Sequence, residues 1–320
     1  MKRLSFFAFC FLFLFTSACG GNTSSLTPLQ LALGYIPNIQ FAPVYVAIDN
    51  GYFADEGLEI EIVHMDENQA AALVGAGEIP FAVVSGEQVL LARAQGLPVV
   101  YVAAWYREYP VSVVAKSDLG LTSPADLRGL TIGLPGLYGA NYIGLRALLH
   151  AGGLTEEDVT LDSIGYTQRE VLVTGRDPVV AVYTANEPVQ LRADGYELSE
   201  LRVADYVDLA ANGILVSEET LQNDPGLVRS FVRAFLLGME EAAADQGTAY
   251  AITRNYVETL PPDDPVQQEV LATSISLWAL DPPGYSDPAA WENMQELLLD
   301  MGLLTQPLDL SKAFTNEYLP

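Results

Sequence analysis

The sequence predicts an α/β protein with two lobes and a ligand cleft between them. Short apolar runs typical of strands alternate with runs typical of helices in two successive series, and a helix-rich segment follows. The β–α–β order predicts mostly parallel sheets with right-handed crossovers, in which ligands bind at the carboxyl ends of the strands. The length of 320 residues agrees with two lobes, because a single core stops growing at roughly 250–300 residues.

The elements of the two series are predicted from their apolar periodicity. Strands are expected at 29–34, 59–65, 81–84 and 99–105 in the first series, and at 131–134, 159–164 and 179–183 in the second. Helices between them are expected at 42–50, 68–75, 87–95, 140–150, 169–174 and 188–194. One more strand at 214–216 and long helices at 224–256, 265–277 and 288–301 complete the chain.

The chain is expected to cross between the lobes twice, near 113–117 and near 203–208. These crossings assign residues 28–114 and 207–320 to lobe I and residues 115–206 to lobe II. A cleft between two lobes is where a small ligand is expected to bind.

The first residues indicate export. Lys2 and Arg3 precede an apolar run over 4–15, which is shorter than the roughly 20 residues of a spanning helix. Small residues then lead into Cys19, and this arrangement resembles a bacterial lipoprotein signal. It implies a signal peptide over 1–18, palmitate on Cys19, a flexible tether over 19–27 and a body held at the extracytoplasmic face of the cell membrane. Secretion without lipidation is the alternative.

Composition excludes several classes of function. The chain has 41 Asp and Glu against 15 Lys and Arg, for a net charge of −26, so nucleic-acid phosphates would repel it. Half of its residues are hydrophobic, which excludes a disordered chain. His64 and His150 have no metal-ligand spacing, and neither a metal nor a cofactor is predicted.

Four motifs carry a resemblance to a known family. In order along 28–220 they are Gly34-Tyr35-Ile36-Pro37-Asn38 with Phe41-Ala42-Pro43, Asn50-Gly51-Tyr52-Phe53 with Glu56-Gly57-Leu58, Gly133-Leu134-Pro135-Gly136-Leu137-Tyr138-Gly139, and Tyr183-Thr184-Ala185-Asn186-Glu187-Pro188. The chain resembles the type II solute-binding proteins of ABC importers, in the branch for nitrate, sulfonates, thiamine precursors and riboflavin. The resemblance implies a monomer that closes on a small molecule and presents it to a permease and its ATPase.

Candidate ligand-binding residues follow the predicted strands. They are Tyr35, Asn38, Phe41, Ser85, Glu87, Trp105, Tyr106, Tyr138, Asn141, Tyr166, Tyr183, Asn186 and Glu187. Several have a structural alternative, because Asn38, Ser85 and Asn186 are also typical helix caps. Trp105 or Tyr106 is expected to stack on the ligand, with a structural aromatic at the lobe junction as the alternative.

The candidate residues favour a neutral heteroaromatic ligand. Arg107 is the one cation in these segments, so nitrate or a sulfonate is less expected, while aromatic, amide and carboxyl groups suit a flat ring with polar atoms. Within the resembled family, riboflavin is preferred and the thiamine-precursor pyrimidine is the alternative.

Two other classes of function are weighed. Pyrimidine synthases share the scaffold of the resembled family. They depend on a cysteine-rich iron motif and on a lysine for pyridoxal phosphate. Processing at Cys19 would leave only Lys116 and Lys312, so no enzyme activity is expected. A scaffold that has lost its ligand and serves in adhesion is the alternative outside transport.

Overall fold

The computed structural model describes residues 26–278 and 281–320. The predicted signal peptide, Cys19 and most of the predicted tether lie outside the described residues. Within the described part of the chain, no helix combines the length and apolar character needed to cross a bilayer.

Ten strands and twelve α-helices make up the described chain. The strands are β1 (Thr27–Leu33), β2 (Leu58–His64), β3 (Phe81–Val84), β4 (Val99–Ala104), β5 (Val111–Lys116), β6 (Thr131–Leu134), β7 (Thr160–Ser163), β8 (Val179–Tyr183), β9 (Leu198–Arg202) and β10 (Gly213–Ser217). The helices are α1 (Ala42–Asp49), α2 (Tyr52–Asp55), α3 (Glu67–Gly75), α4 (Gly86–Ala94), α5 (Gly139–Ala151), α6 (Gln168–Thr174), α7 (Glu187–Ala193), α8 (Glu218–Asn223), α9 (Pro225–Ala244), α10 (Gln246–Thr253), α11 (Pro265–Trp278) and α12 (Pro288–Asp300).

The strands form two five-stranded sheets. The first has the order β2–β1–β3–β10–β4 and the second the order β7–β6–β8–β5–β9. In each sheet one strand runs against the others: β10 is antiparallel to β3 and β4, and β5 is antiparallel to β8 and β9. The antiparallel strand is the one by which the chain enters that sheet from the other, so the prediction of two mostly parallel sheets is confirmed.

The first crossing between the sheets lies earlier than predicted. The run from Val111 to Lys116 is a strand of the second sheet, so the chain leaves the first sheet over 105–110 and not near 113–117. Its alternation of β-branched residues is typical of a strand. The return runs over 203–212, which includes the predicted crossing at 203–208. Residues 111–114, which were expected in lobe I, therefore belong with the second sheet.

The helix predicted over 224–256 is two helices. Asp245 has a non-helical backbone and accepts a hydrogen bond from the Thr248 backbone N at 2.9 Å, so it ends α9 and caps α10. No strand is predicted at β9, because three of its five residues are polar, as an edge strand of a sheet allows.

The C-terminal part of the chain packs on the first sheet. The Phe231 ring of α9 stacks on Phe81 of β3 with 3.9 Å between ring centroids. The Tyr101 backbone in β4 donates to Ala313 O and accepts from Thr315 N, both at 2.9 Å. These contacts return the helical segment to the lobe in which the chain began.

Candidate ligand-binding cleft

A cleft of about 880 Å³, measured to its open mouth, lies between the two lobes. Ten of the thirteen predicted residues line it, namely Tyr35, Phe41, Trp105, Tyr106, Tyr138, Asn141, Tyr166, Tyr183, Asn186 and Glu187. They meet there because most of them follow strands, and the carboxyl ends of parallel strands lie at one edge of a sheet. Their contact with a ligand stays a prediction.

Lobe I supplies a buried aromatic wall. The Trp105 ring is 1% exposed and lies 5.7 Å from Phe41 and 5.3 Å from Tyr106, between ring centroids. The Trp105 indole N–H is buried and has no hydrogen-bond partner in the described structure. Burial raises the pKa of Tyr106 to about 12, so its hydroxyl is neutral at physiological pH. The wall therefore offers flat apolar faces and one unused donor.

Tyrosines from both lobes meet at the mouth of the cleft. Tyr35 of lobe I and Tyr166 of lobe II pack edge to face with 5.0 Å between ring centroids. Tyr138 and Tyr166 are 50% and 51% exposed although they line the cleft. The Tyr138 and Tyr166 rings of lobe II are thus partly exposed to solvent, and a bound ligand or further closure can bury them.

The first turn of α5 adds a polar group from lobe II. Gly139 has φ +70°, a left-handed conformation that favours glycine, and it starts α5 directly under the cleft. Asn141 in the first turn lines the cleft, and its buried Oδ1 has no hydrogen-bond partner in the described structure. Because an unpaired buried acceptor costs free energy, Asn141 is suited to receive a donor from a ligand.

Asn186 and Glu187 form a linked polar pair at the start of α7. The Asn186 amide donates to Glu187 Oε1 at 3.2 Å and accepts from Gln190 Nε2 at 2.7 Å. Glu187 Oε2 accepts from the Tyr183 backbone N at 3.2 Å. Asn186 stands at the N-cap position, but its side chain makes no capping bond. Burial raises the pKa of Glu187 to about 7, so this carboxyl is partly protonated at neutral pH.

Asn38 does not line the cleft. It caps the short 3₁₀ helix Ile39–Phe41, and its side chain accepts from the Gln40 backbone N at 2.9 Å. Asn38 is therefore a helix cap in this structure, which is the structural alternative stated for it above. Asn38 affects the cleft indirectly, because the 3₁₀ helix that it begins presents Phe41 and Gln40 to the cavity.

Ser85 and Glu87 lie beneath the cleft and not on its surface. Both are fully buried, and the Ser85 hydroxyl contacts Glu87 and also Glu67 Oε2, the latter at 2.6 Å. Ser85 holds the N-cap position of α4 but makes no capping bond, and Gln88 forms no capping box with it. Glu87 Oε2 accepts from the Tyr109 hydroxyl at 3.0 Å.

Glu67 lines the cleft and is absent from the predicted set. It begins α3 directly after β2, so the same rule of strand ends that identified the other residues applies to it. Gly34 makes room for it, because a Cβ on Gly34 would lie 2.2 Å from Glu67 Cγ. Burial, and then the neighbouring Glu87, raise the pKa of the Glu67 carboxyl.

Asn212 is a second lining residue that is absent from the predicted set. Its Nδ2 donates to Glu67 Oε1 at 3.1 Å, and its Oδ1 accepts from the Tyr183 hydroxyl at 3.4 Å. It belongs to the return crossing and precedes a strand, so no strand-end signal marks it. No lysine or arginine is among the residues that line the described cleft.

A match to a protein family covers most of the chain. The family described as NMT1/THI5 like matches residues 38–249. The chain belongs to this family. The riboflavin-binding protein RibY of Chloroflexus aurantiacus is 43% identical over 305 residues, covering 92% of this chain and 87% of that protein. A formylaminopyrimidine-binding protein of Halalkalibacterium halodurans is 32% identical and covers 99% of both chains.

Solved structures confirm the fold. The alkanesulfonate-binding protein SsuA of Xanthomonas axonopodis, bound to MOPS, superposes with a TM-score of 0.72 at 17% identity, over 90% of this chain and 98% of that one. A Candida albicans protein described as having the generic periplasmic binding protein fold has a TM-score of 0.68 at 16% identity, over 91% and 97% of the two chains. The predicted two-lobed binding-protein fold is thus correct.

More distant relatives include enzymes. A 4-amino-5-hydroxymethyl-2-methylpyrimidine phosphate synthase of Legionella pneumophila is 24% identical over 91% of this chain and 92% of that protein. Neither candidate lysine lines the cleft described here. Lys116 instead donates to Val173 O at 3.1 Å and lies over the Tyr196 ring.

Proposed function

We propose that this protein is the extracytoplasmic solute-binding component of an ABC importer and that its ligand is riboflavin. It holds the vitamin between the lobes and delivers it to a permease that an ATPase drives. The observation that carries the proposal is the lining of the cleft, which joins an aromatic wall to amide and carboxyl groups and includes no cation. The 43% identity to a riboflavin-binding protein supports the same ligand.

The lining matches the chemistry of a flavin. An isoalloxazine ring is flat, uncharged and edged with carbonyl oxygens and one N–H, so it stacks on aromatic faces and exchanges hydrogen bonds at its rim. The unpartnered Trp105 N–H and Asn141 Oδ1 supply one donor and one acceptor beside the aromatic wall. The ribityl hydroxyls suit Glu67, Asn186 and Glu187, whose side chains accept hydrogen bonds.

A formylaminopyrimidine is the second candidate ligand, because the relative that binds one aligns over nearly the whole chain. The number of aromatic rings that line the cleft from both lobes favours the larger flavin. An alkanesulfonate would leave its negative charge without a cation and beside Glu67.

Calorimetric titration tests the ligand. Riboflavin, formylaminopyrimidine and an alkanesulfonate are titrated into a protein that begins after Cys19, and quenching of flavin fluorescence gives an independent signal. We expect riboflavin to bind tightest. Tightest binding of the pyrimidine would keep the transport role and change the ligand, whereas tightest binding of the sulfonate would contradict the argument from the uncharged lining.

The import role also implies motion and an anchor. We propose that segments 105–110 and 203–212 act as hinges, so that saturating riboflavin reduces the radius of gyration in small-angle scattering. An identical profile with and without ligand would contradict closure.

We further propose lipidation of Cys19, so that Cys19→Ala releases the body from the membrane or leaves its signal uncleaved. A processed Cys19→Ala protein that stays in the membrane would contradict lipid anchoring. We propose no enzyme activity.

A further inference from the structure

Two carboxyl groups meet at one hydroxyl beneath the cleft. The Ser85 hydroxyl lies 2.6 Å from Glu67 Oε2 and also contacts Glu87 Oε1. A hydroxyl has one hydrogen to donate, so two ionised carboxylates cannot both accept from it. The second contact is favourable only when a protonated carboxyl donates to the Ser85 oxygen. The arrangement therefore requires one proton on the pair.

The surrounding donors decide which carboxyl carries that proton. Both oxygens of Glu67 already accept hydrogen bonds, Oε2 from the Ser85 backbone N at 3.1 Å and Oε1 from Asn212 Nδ2 at 3.1 Å. Glu87 is completely buried, and its Oε2 accepts from the Tyr109 hydroxyl at 3.0 Å. Its Oε1 has only a long contact of 3.4 Å from Gln88 Nε2 besides the Ser85 hydroxyl, so Oε1 is the oxygen that donates to Ser85. Ionising Glu87 would cost more than ionising Glu67, which borders the cleft.

We propose that Glu87 is a positioning residue: it stays protonated, donates to the Ser85 hydroxyl, and through Ser85 holds Glu67 as an ionised acceptor for a ligand N–H or O–H. This inference rests on the proposed function, and it adds a residue that never touches the ligand. Glu67 takes the imide N–H or a ribityl hydroxyl of the flavin. The direction of donation along the chain Glu87, Ser85, Glu67 fixes the orientation of the acceptor before the ligand arrives.

The electrostatic setting agrees with one retained proton. Burial raises the pKa of both Glu87 and Glu67, and the charge of Glu87 raises the pKa of Glu67 further, so the pair keeps one proton, which the hydrogen-bond geometry assigns to Glu87. The remaining titratable groups that face the pair are Asp66, Tyr109, Tyr166 and Tyr183, none of which is a cation. The Tyr109 hydroxyl also lies 3.3 Å from Ala140 O in the first turn of α5. The buried pair is thus in contact with a side chain of the first crossing segment, between the two lobes.

Three substitutions separate this assignment from a merely structural role. Glu87→Gln keeps a donor toward Ser85, because its amide N–H₂ replaces the carboxylic O–H, whereas Glu87→Leu removes it. We expect Glu67→Gln and Glu87→Leu each to weaken riboflavin binding by about 10- to 100-fold, the scale of a hydrogen bond to a charged group. Glu87→Gln rescues most of that loss, to within about threefold of wild type. Glu78→Gln, at an exposed position outside the cleft, is the control.

Two results would overturn the proposal. Glu87→Gln binding as weakly as Glu87→Leu would mean that Glu87 acts as an ionised acceptor, and unchanged affinity in Glu67→Gln would mean that Glu67 is not the acceptor. Wild-type protein that binds none of the ligands contradicts the proposed function instead, and the assignment is then decided by urea unfolding.

The free energy of unfolding in urea, measured between pH 5 and pH 8, tests for the proton on Glu87 without a ligand. A carboxyl that is protonated in the fold and ionised in the unfolded chain loses its stabilising effect as the pH rises through its raised folded pKa. We therefore expect wild type to lose more stability over this range than Glu87→Gln, which has no such proton. Equal pH dependence in the two proteins would overturn the assignment whether or not riboflavin binds.

Discussion

The two lobes contribute different kinds of surface to the cleft. On lobe I, Phe41, Trp105 and Tyr106 are buried against one another. On lobe II, Tyr138 and Tyr166 line the same cleft and are half exposed. Lobe I thus has a binding face that its own core holds in place, whereas lobe II has rings that can still lose solvent contact.

This difference divides the work of binding. A preformed face binds a flat ring without the cost of ordering side chains, so lobe I should determine most of the affinity. Rings that become buried only when the lobes close favour the closed state, and a ligand can shift that equilibrium only through such differential contacts. We therefore expect substitutions in lobe I to change both stability and affinity, and substitutions at the mouth in lobe II to change closure.

The largest expected effect is at Trp105. Trp105→Ala removes a buried ring, so we expect the free energy of unfolding to fall by about 3–5 kcal/mol and riboflavin affinity to fall at least about 100-fold. Chemical unfolding and fluorescence titration measure the two effects.

A second substitution at the same site separates the ring from its N–H. Trp105→Phe keeps an aromatic face and removes the unpartnered donor, so we expect a smaller loss of stability than in Trp105→Ala and a loss of affinity of about 2- to 12-fold for one hydrogen bond. Trp291→Phe is the control outside the cleft, and it should lose stability because its indole N–H donates to Ser286 Oγ at 2.7 Å. Wild-type affinity in Trp105→Phe would mean that this N–H does not contact the ligand.

The next effect concerns Glu187 on lobe II and is visible as a pH dependence. Burial raises the pKa of Glu187 to about 7 in the fold, above its ordinary value of 4.5. The unfolded chain ionises first, so the stability that this group contributes is complete below about pH 4.5 and is lost as the pH rises through about 7. At about 1.4 kcal/mol per pKa unit the loss is on the order of 3 kcal/mol.

Glu187→Gln should remove that loss. We expect unfolding curves recorded at pH 5 and pH 8 to differ less for Glu187→Gln than for wild type. Glu258→Gln, at an exposed position outside the cleft, should keep the wild-type difference. A wild-type pH difference retained in Glu187→Gln would contradict a buried, partly protonated carboxyl at this position.

Most of the framework could be predicted because its signals are local. The run Phe81–Val84 was predicted with its observed bounds because a short apolar run between polar turns has few other interpretations. The run Val111–Lys116 has an equally clear strand pattern. The predicted crossing near 113–117 overlaps this run, so the prediction puts the first crossing later in the chain than the structure does. β9 gave no signal because an edge strand can be polar on most of its length.

The site was predictable only where it obeys the strand-end rule. Trp105 and Tyr166 follow strands and line the cleft, whereas Asn212 reaches it from a crossing segment that no local pattern marks. Ser85 and Glu87 also follow a strand, but they point beneath the cleft because Glu67 occupies the surface above them. Whether a residue after a strand lies on the cleft surface or beneath it depends on packing between elements, which cannot be derived from a single sequence.

A smaller effect tests the cap at the edge of the lobe I face. Asn38→Ala removes the bond to the Gln40 backbone N, so we expect the free energy of unfolding to fall by about 1 kcal/mol. Asn38→Asp keeps a carboxylate acceptor at the cap and should retain stability. Since Asn38 does not line the cleft, riboflavin affinity should change little in either variant. A large loss of affinity with unchanged stability would restore Asn38 as a ligand contact.

The smallest effect on stability, and the sharpest test of the difference between the lobes, is at Tyr166. Its ring is half exposed and meets Tyr35 across the mouth, so Tyr166→Ala should leave the free energy of unfolding nearly unchanged. An edge-to-face pair contributes about 0.5–1.5 kcal/mol, so riboflavin affinity should fall about 2- to 12-fold. The compaction seen by small-angle scattering with bound riboflavin should also be reduced, because the contact between the lobes is gone. Tyr206→Ala, at an exposed tyrosine outside the cleft, should change neither quantity. If Tyr166→Ala instead lowers affinity as much as Trp105→Ala while compaction is unchanged, then the lobe II rings hold the ligand directly and the division of work between the lobes is wrong.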